Sequence, residues 1–143
     1  MYYVSTRNKE DRRTAAEAIA QGLAVDGGLM TPEVFPKLSH NALDTMRDMS
    51  YQQRAVYVMN SYLDDFTASE LSAYADKAYG GEKFDVKEVA PVRAVDENTY
   101  CLELWHGPTC AFKDMALQML PHLLTASLVL SLIHISEPTR LGM

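Results

Sequence analysis

Pairs of residues that cap helices restrict the fold of this chain more than any other feature of its sequence. A Ser or Thr followed three residues later by Glu or Gln lets the two residues bond each other's backbone amides at a helix start. The pairs that precede helical patterns are Thr14 with Glu17, Ser50 with Gln53, and Thr67 with Glu70. Ser39 can cap a further helix by itself. The sequence therefore predicts a helix after each of these positions, with Gly22 ending the first and Gly80-Gly81 ending the last.

Short β-prone runs lie on both sides of this helical region. Tyr2 to Ser5 is aromatic and β-branched, which predicts a strand. Pro91 to Val95 and Thr99 to Trp105 are two further runs, separated by Asp96-Glu97-Asn98, and they predict a hairpin. Val25 to Pro32 contains paired glycines and a proline, which indicates a structured loop or a very short strand. We expect an α/β chain with a helix-rich N-terminal region and a small sheet.

Apolar residues at helical spacing predict which faces are buried. In the helix after Ser50, such a face is formed by Ala55, Val58, Met59 and Tyr62. A later helical stretch should begin near Ala111, and its apolar face comprises Phe112, Met115, Ala116, Met119, Leu120, Leu123 and Leu124. Pro121 lies inside that pattern and should kink or interrupt it, because proline lacks the amide hydrogen that a helix interior requires.

The charge balance and the cysteine content exclude several classes of function. The net charge is -6, whereas a nucleic-acid binder needs a basic surface. Acidic residues among the early basic ones disfavour a mitochondrial transit peptide, and Glu17 interrupts any secretory apolar run. Cys101, His106 and Cys110 lack the paired spacing and the fourth ligand of a zinc site. We therefore expect a cytoplasmic protein with no metal ion and no nucleic-acid partner.

Lys113 is a candidate anchor for a cofactor. It follows the turn-forming sequence His106-Gly107-Pro108-Thr109 and begins a predicted helix. An amine that bonds to a carbonyl cofactor must be available in its neutral state, and the apolar neighbours Ala111 and Phe112 could favour that state by excluding water. On spacing alone, a solvated lysine in the first turn of a helix fits the pattern better.

The segment around Lys113 resembles the cofactor-lysine segment of a known enzyme family. Residues 102–114 read Leu-Glu-Leu-Trp-His-Gly-Pro-Thr-Cys-Ala-Phe-Lys-Asp, which is similar to that segment in the threonine synthases. Tyr2 to Arg7 and Gln21 to Leu29 are also similar to the beginning of those enzymes. The matches occur in the right order, and the resemblance covers residues 2–128. Trp105 and Cys110 depart from the family pattern, so neither is assigned a chemical role.

The resemblance implies a pyridoxal-phosphate enzyme with the tryptophan-synthase-β-like fold. Lys113 would bind pyridoxal 5'-phosphate covalently and act in catalysis, and Phe112 would pack beside it as a second cofactor-binding residue. In such a family the lysine amine serves as acid and base while the cofactor ring withdraws electrons. Phosphate thereby leaves the small-molecule substrate O-phospho-L-homoserine, water adds, and L-threonine and phosphate are formed.

The resemblance also implies a division of the chain. Residues 1–90 would form a threonine synthase N-terminal domain, and residues 91–128 the truncated start of the catalytic domain. Residues 129–143 resemble translated sequencing-adapter sequence, and we predict a non-native tail there. Because no glycine-rich phosphate loop is recognisable, we expect this fragment to be inactive by itself. Leu123 to Ile135 is apolar but shorter than the ~20 residues of a membrane span, so we expect no membrane partner.

Three residues near Lys113 can have structural roles as well as, or instead of, catalytic ones. Asp114 can stabilise the helix dipole as a first-turn acid or act in catalysis, and the sequence leaves both open. Thr109 can cap the helix. His106 fits a hydrogen-bonding loop residue better than a base.

Two alternatives to threonine synthase remain open. One is a threonine-synthase-like phospho-lyase, which would share Lys113 and differ in loops outside this chain. The other is a non-enzymatic module, in which residues 1–90 form a helical interaction domain and the Lys113 segment is structural.

Overall fold

The computed structural model describes residues 1–136, which divide into two compact units. The first unit combines Met1–Pro36, Tyr62–Asp65 and the chain from His122 onwards. The second combines Lys37–Ser61 with Phe66–Pro121. Residues 137–143 of the predicted non-native tail lie outside the described residues. Lys113 belongs to the second unit, so that unit positions the candidate site.

A small antiparallel sheet organises the first unit. The predicted N-terminal strand is confirmed as β1 (Tyr3–Ser5), which lies between β2 (Arg12–Arg13) and β3 (Met30–Pro32). Val4 faces Arg12 on one side and Thr31 on the other. β3 is the very short strand that the glycine- and proline-containing segment allowed.

Helix α1 (Ala15–Gln21) follows β2 and begins at the predicted capping box. Thr14 Oγ1 accepts the amide of Glu17 at 3.4 Å, and Glu17 Oε2 accepts the amide of Thr14 at 2.9 Å. Gly22 ends the helix with a φ of 77°, a value that glycine adopts without steric cost. Side-chain bonding at Thr14 and the backbone conformation of Gly22 therefore fix the two ends of α1, as the sequence predicted.

Residues 62–65 are held in the first unit by two long-range hydrogen bonds. The hydroxyl of Tyr3 donates to the carbonyl of Tyr62 at 2.9 Å, and the amide of Ala16 donates to Asp65 Oδ2 at 2.6 Å. Burial, together with the nearby charge of Asp64, raises the pKa of Tyr3 to about 12. The terminal ammonium of Met1 also pairs with Asp64.

A hydrogen-bonded turn joins β1 to the segment before β3. The amide of Gly28 and the hydroxyl of Ser5 each donate to Asp26 Oδ1 at 2.8 Å. These bonds, with the Gly28 amide contributing most, hold the pKa of Asp26 below its ordinary value. A Cβ atom at Gly28 would overlap the Ser5 hydroxyl, so the close approach requires glycine. The two-glycine segment is thus a specific turn.

Three helices form most of the second unit, and each begins where a cap was predicted. They are α2 (His40–Arg47), α3 (Tyr51–Met59) and α4 (Ala68–Tyr79). Ser39 Oγ accepts the amide of Ala42, while Ser50 and Thr67 form complete capping boxes. Gly80 ends α4, again as predicted.

The buried face predicted for α3 is wrong in part. No residue of α3 is fully buried, and Val58 is 37% exposed. One side of α3, including Val56 and Tyr57, lines an open groove of about 700 Å³, so the helix is covered on fewer sides than its apolar spacing suggested. The core of this unit comes from α4 instead, whose fully buried residues are Leu71, Ala75 and Ala78.

The predicted hairpin is confirmed and shorter than expected. β4 (Val92–Ala94) pairs with β5 (Tyr100–Leu102) in antiparallel register. Asp96 Oδ1 accepts the amides of Asn98 and Thr99 at 3.0 and 2.8 Å, which closes the turn. The second strand ends at Leu102 instead of Trp105, and the chain then enters the loop that leads to Lys113.

The helical stretch predicted after Ala111 is divided in two. α5 (Asp114–Leu117) is a single turn, and α6 (Leu120–Ser136) begins one residue before Pro121, a position where proline fits because first-turn amides have no helical acceptor. The predicted interruption near Pro121 is therefore confirmed. Met119 and Leu123 are buried, whereas Phe112 is 67% exposed and does not belong to a buried face.

By length and composition alone, the run Asp114–Leu132 would be able to cross a membrane. The run is divided between α5 and α6, and its first residue is a buried carboxylate that accepts hydrogen bonds from Thr109. The expectation of no membrane partner stays a prediction.

Candidate functional site

A tight turn precedes Lys113. The amide of Cys110 donates to the carbonyl of Gly107 at 3.0 Å, which closes the Gly107–Cys110 turn. Cys110 has a φ of 55°, in the left-handed region of the backbone, which residues other than glycine adopt only with strain. The turn reverses the chain between the hairpin and α5.

The carboxylate of Asp114, the residue that follows Lys113, accepts hydrogen bonds from this turn. Asp114 is 0% exposed, and its Oδ2 atom accepts the Thr109 amide at 2.8 Å and the Thr109 hydroxyl at 3.0 Å. Thr109 therefore donates to Asp114, and no side-chain hydrogen bond caps α5. Asp114 lies in the first turn of α5, as one of its two sequence interpretations expected, and it is in addition buried and hydrogen-bonded. We call this pair of bonds the Thr109–Asp114 clamp.

Gly107 completes the clamp because no side chain fits at its position. A Cβ atom there would lie 2.5 Å from Asp114 Cβ and 2.6 Å from Asp114 Oδ2. The φ of Gly107 does not lie in the left-handed region, so its backbone conformation does not require glycine. The close approach of Asp114 does. The sequence marked Gly107 only as a turn residue and gave no sign of the contact with Asp114.

Lys113 is exposed and directly precedes α5 as its N-cap residue. Its carbonyl accepts the amides of Ala116 at 3.1 Å and Leu117 at 2.8 Å, so its backbone is fixed by the helix. Among residues 1–132, no side chain or carbonyl bonds the Lys113 amine. The amine is therefore available to a group from outside these residues.

The apolar flank expected beside Lys113 does not bury its amine. Phe112 is exposed and Ala111 is only half-buried. Lys113 itself is exposed, so these two side chains do not shield its amine from water. Any exclusion of water at Lys113 must come from parts of the protein other than this flank.

His106 bridges two carboxylates and is not available as a base. Nδ1 lies 2.5 Å from Asp85 Oδ1, Nε2 lies 2.7 Å from Glu103 Oε2, and the side chain is 10% exposed. The hydrogen bond to Glu103, supported by Asp85, raises the pKa of His106 above its ordinary value. The amide of Asp85 also donates to the His106 carbonyl at 3.1 Å. This agrees with the sequence interpretation of a hydrogen-bonding loop residue.

Aromatic residues hold α5 in place. The hydroxyl of Tyr79 donates to the carbonyl of Met115 at 2.7 Å, and Tyr51 packs edge-to-face on Tyr79 with ring centroids 4.9 Å apart. The hydroxyl of Tyr51 also lies 3.5 Å from Met115 Sδ. Burial raises the pKa of Tyr79. The sequence alone did not indicate these residues, because their contacts with Met115 join positions far apart in the chain.

Comparison with known proteins identifies the family. A family model described as "Threonine synthase N terminus" matches residues 2–79, more than half of the chain. The chain belongs to this family. The mixed α/β architecture is accordingly that of the corresponding part of threonine synthase structures, as the sequence predicted.

Relatives in the threonine synthase family match most of this chain. The threonine synthase of Methylobacillus glycogenes is 37% identical over 130 residues, which cover 86% of this chain and 27% of that protein. Threonine synthase-like 1 from Homo sapiens is 37% identical over 132 residues, which cover 85% of this chain and 18% of that protein. The structure of PLP-bound threonine synthase from Brucella melitensis has a TM-score of 0.85 at 34% identity, covering 92% of this chain and 28% of its own. The chain thus spans about a quarter of the length of the threonine synthases it matches.

Proposed function

We propose that this chain is the N-terminal part of a threonine synthase, in which Lys113 binds pyridoxal 5'-phosphate. The intact protein converts O-phospho-L-homoserine and water to L-threonine and phosphate. The observation that carries the proposal is the amine of Lys113, which has no partner among the described residues while its backbone is fixed by α5. The cofactor in the related Brucella melitensis structure supports the choice of ligand.

The residues of this chain fit one part of such a site. A primary amine without a competing carboxylate can bond to the aldehyde carbon of the cofactor. The exposed ring of Phe112, next in sequence, is proposed to pack against the cofactor once the rest of the site is present. When bound, pyridoxal phosphate supplies an electron sink for the substrate carbanion. The role proposed for the Lys113 amine is to take up and return the substrate proton.

The proposal assigns the remaining parts of the site to sequence outside this chain. Residues 1–90 are the proposed N-terminal domain, residues 91–128 begin the catalytic domain, and residues 129–143 are a non-native tail. The phosphate cradle and the substrate loops belong to the remaining length of the protein, so we expect no turnover from the 143-residue chain alone. We further propose a cytoplasmic enzyme that binds neither nucleic acid nor membranes.

A threonine-synthase-like phospho-lyase is the second candidate. Its support is that threonine synthase-like 1 from Homo sapiens and the Methylobacillus glycogenes enzyme match this chain at the same identity. Both candidates release phosphate, and only the first also forms threonine. A non-enzymatic helical module differs from both, because it requires no covalent chemistry at Lys113.

Assay of the full-length protein separates these candidates. Phosphate and threonine are measured after addition of O-phospho-L-homoserine and pyridoxal phosphate, for the wild type, Lys113→Ala and Lys83→Ala. Lys83 is an exposed lysine of the same unit and serves as the matched control. We expect both products from the wild type and K83A, and neither from K113A. Phosphate without threonine would favour the phospho-lyase, and no product from any variant would favour the module.

A further inference from the structure

Two energetically unfavourable features lie within a few residues of Lys113. Asp114 Oδ1 is buried without a hydrogen-bond partner among the described residues, although a buried carboxylate oxygen without a partner is costly. Cys110 holds a left-handed backbone conformation that only glycine adopts freely. A loop with no task beyond connecting β5 to α5 would not require either feature.

Both features lie within one hydrogen-bonded arrangement around Lys113. Asp114 follows Lys113 directly, and its Oδ2 atom reaches back to bond residue 109 twice. The amide of Asp114 also donates to the carbonyl of Ala111 at 3.0 Å. The chain between Thr109 and Asp114 is therefore tied at both ends, and Lys113 lies inside the tied segment. Such a closed segment has less backbone freedom than an open loop.

We propose that Asp114, acting through Thr109, is a positioning residue for Lys113. The clamp fixes the direction in which the Lys113 side chain leaves the backbone, so the amine meets an incoming aldehyde in one orientation. This inference rests on the proposed function for the identity of the aldehyde. If the Thr109–Asp114 clamp had only a structural role, it would contribute to the stability of the fold and would not change the reactivity of Lys113.

Conservative variants separate positioning from stability. Thr109→Val removes the hydroxyl donor to Asp114, and Thr109→Ser restores it. Thr67→Val makes the same change at the cap of α4, where Thr67 Oγ1 also bonds a carboxylate, and it serves as the matched control for lost stability. Asp114→Ala removes the clamp entirely.

The reaction of Lys113 with its proposed cofactor provides the first readout. The full-length variants are incubated with pyridoxal phosphate and reduced with borohydride, and the rate of labelling at Lys113 is followed by peptide mass spectrometry. We expect labelling to slow about tenfold in T109V and more in D114A, and to return to within about twofold of wild type in T109S. T67V should label at the wild-type rate at a temperature where every variant is folded.

Amide hydrogen exchange of the 143-residue chain provides an independent readout. D114A should lose protection at Thr109 and at the amides of α5, whereas T67V should keep it. Equal labelling of T109V and T67V, or unchanged exchange in D114A, would overturn the positioning role. Absence of labelling at Lys113 in the wild type would instead reject the proposed function. Hydrogen exchange alone would then show whether the clamp restrains the segment between Thr109 and Asp114.

Discussion

The hydroxyl of Tyr79 donates a 2.7 Å hydrogen bond to the carbonyl of Met115, two residues after Lys113. Tyr79 ends α4, so this bond ties the end of the core helix of the second unit to the short helix that follows the candidate lysine. A four-residue helix has little stability of its own, because ordering the first helical turn costs more free energy than its few hydrogen bonds supply. The position of α5 therefore depends on contacts such as this one.

Replacing Tyr79 by Phe should destabilise the second unit by about 1 kcal/mol, because the partly buried carbonyl of Met115 loses its side-chain donor. Chemical denaturation of the variant measures this directly. Tyr100→Phe is the control, since Tyr100 is 65% exposed on the hairpin. Equal stability of the two variants would show that the Tyr79 bond does not hold α5.

Replacing Gly107 by Ala should cost about 2–3 kcal/mol, because the added Cβ would lie 2.5 Å from Asp114 Cβ and would force the clamp apart. Gly81→Ala makes a useful comparison: Gly81 has a φ of 67° and open space around it, so its substitution introduces backbone strain of about 1 kcal/mol without a clash. Denaturation midpoints should place G107A clearly below G81A. The reverse order would mean that Asp114 moves aside at little cost.

The contribution of His106 to the stability of the second unit should decline as the pH rises above 6.5. Its pKa is raised above the ordinary value of 6.5 by Glu103 and Asp85. A group whose pKa is higher in the folded state stabilises fully below its unfolded pKa, and that contribution is lost as the pH rises through the folded value. The melting temperature of the wild type should therefore exceed that of His106→Gln most below pH 6.5, and the difference should narrow as the pH increases.

NMR titration of the His106 ring provides the direct check of that prediction, and it does not depend on the variant folding. A titration midpoint of His106 at or below the ordinary value of 6.5 would contradict the double carboxylate contact.

Local features of the fold were predictable because their partners lie close together in sequence. Thr14 bonds Glu17 and Thr67 bonds Glu70 three residues away, so the helix starts were readable from the order of residues alone. The hairpin turn at Asp96 is equally local. Such bonds form in nearly any surroundings, which is why these predictions are confirmed.

Features of the candidate site that depend on distant contacts were not predictable. The carboxylate of Asp85 reaches His106 across 21 positions, and Tyr79 reaches Met115 across 36. Burial of Asp114 also follows from packing, since a first-turn acid is ordinarily solvated. The exposure of Phe112 was not predictable either: its apolar spacing suggested a place on a buried helical face, but α5 begins only at Asp114, two residues after it.

The most direct measurement of the central claim is the site of covalent attachment in the full-length protein. The protein is saturated with pyridoxal phosphate, reduced with borohydride, digested and mapped by mass spectrometry, with Lys113→Ala as the negative control. We expect one modified peptide, which carries the reduced cofactor on Lys113 and is absent from K113A. A modified lysine elsewhere, or the same labelling in K113A, would contradict it.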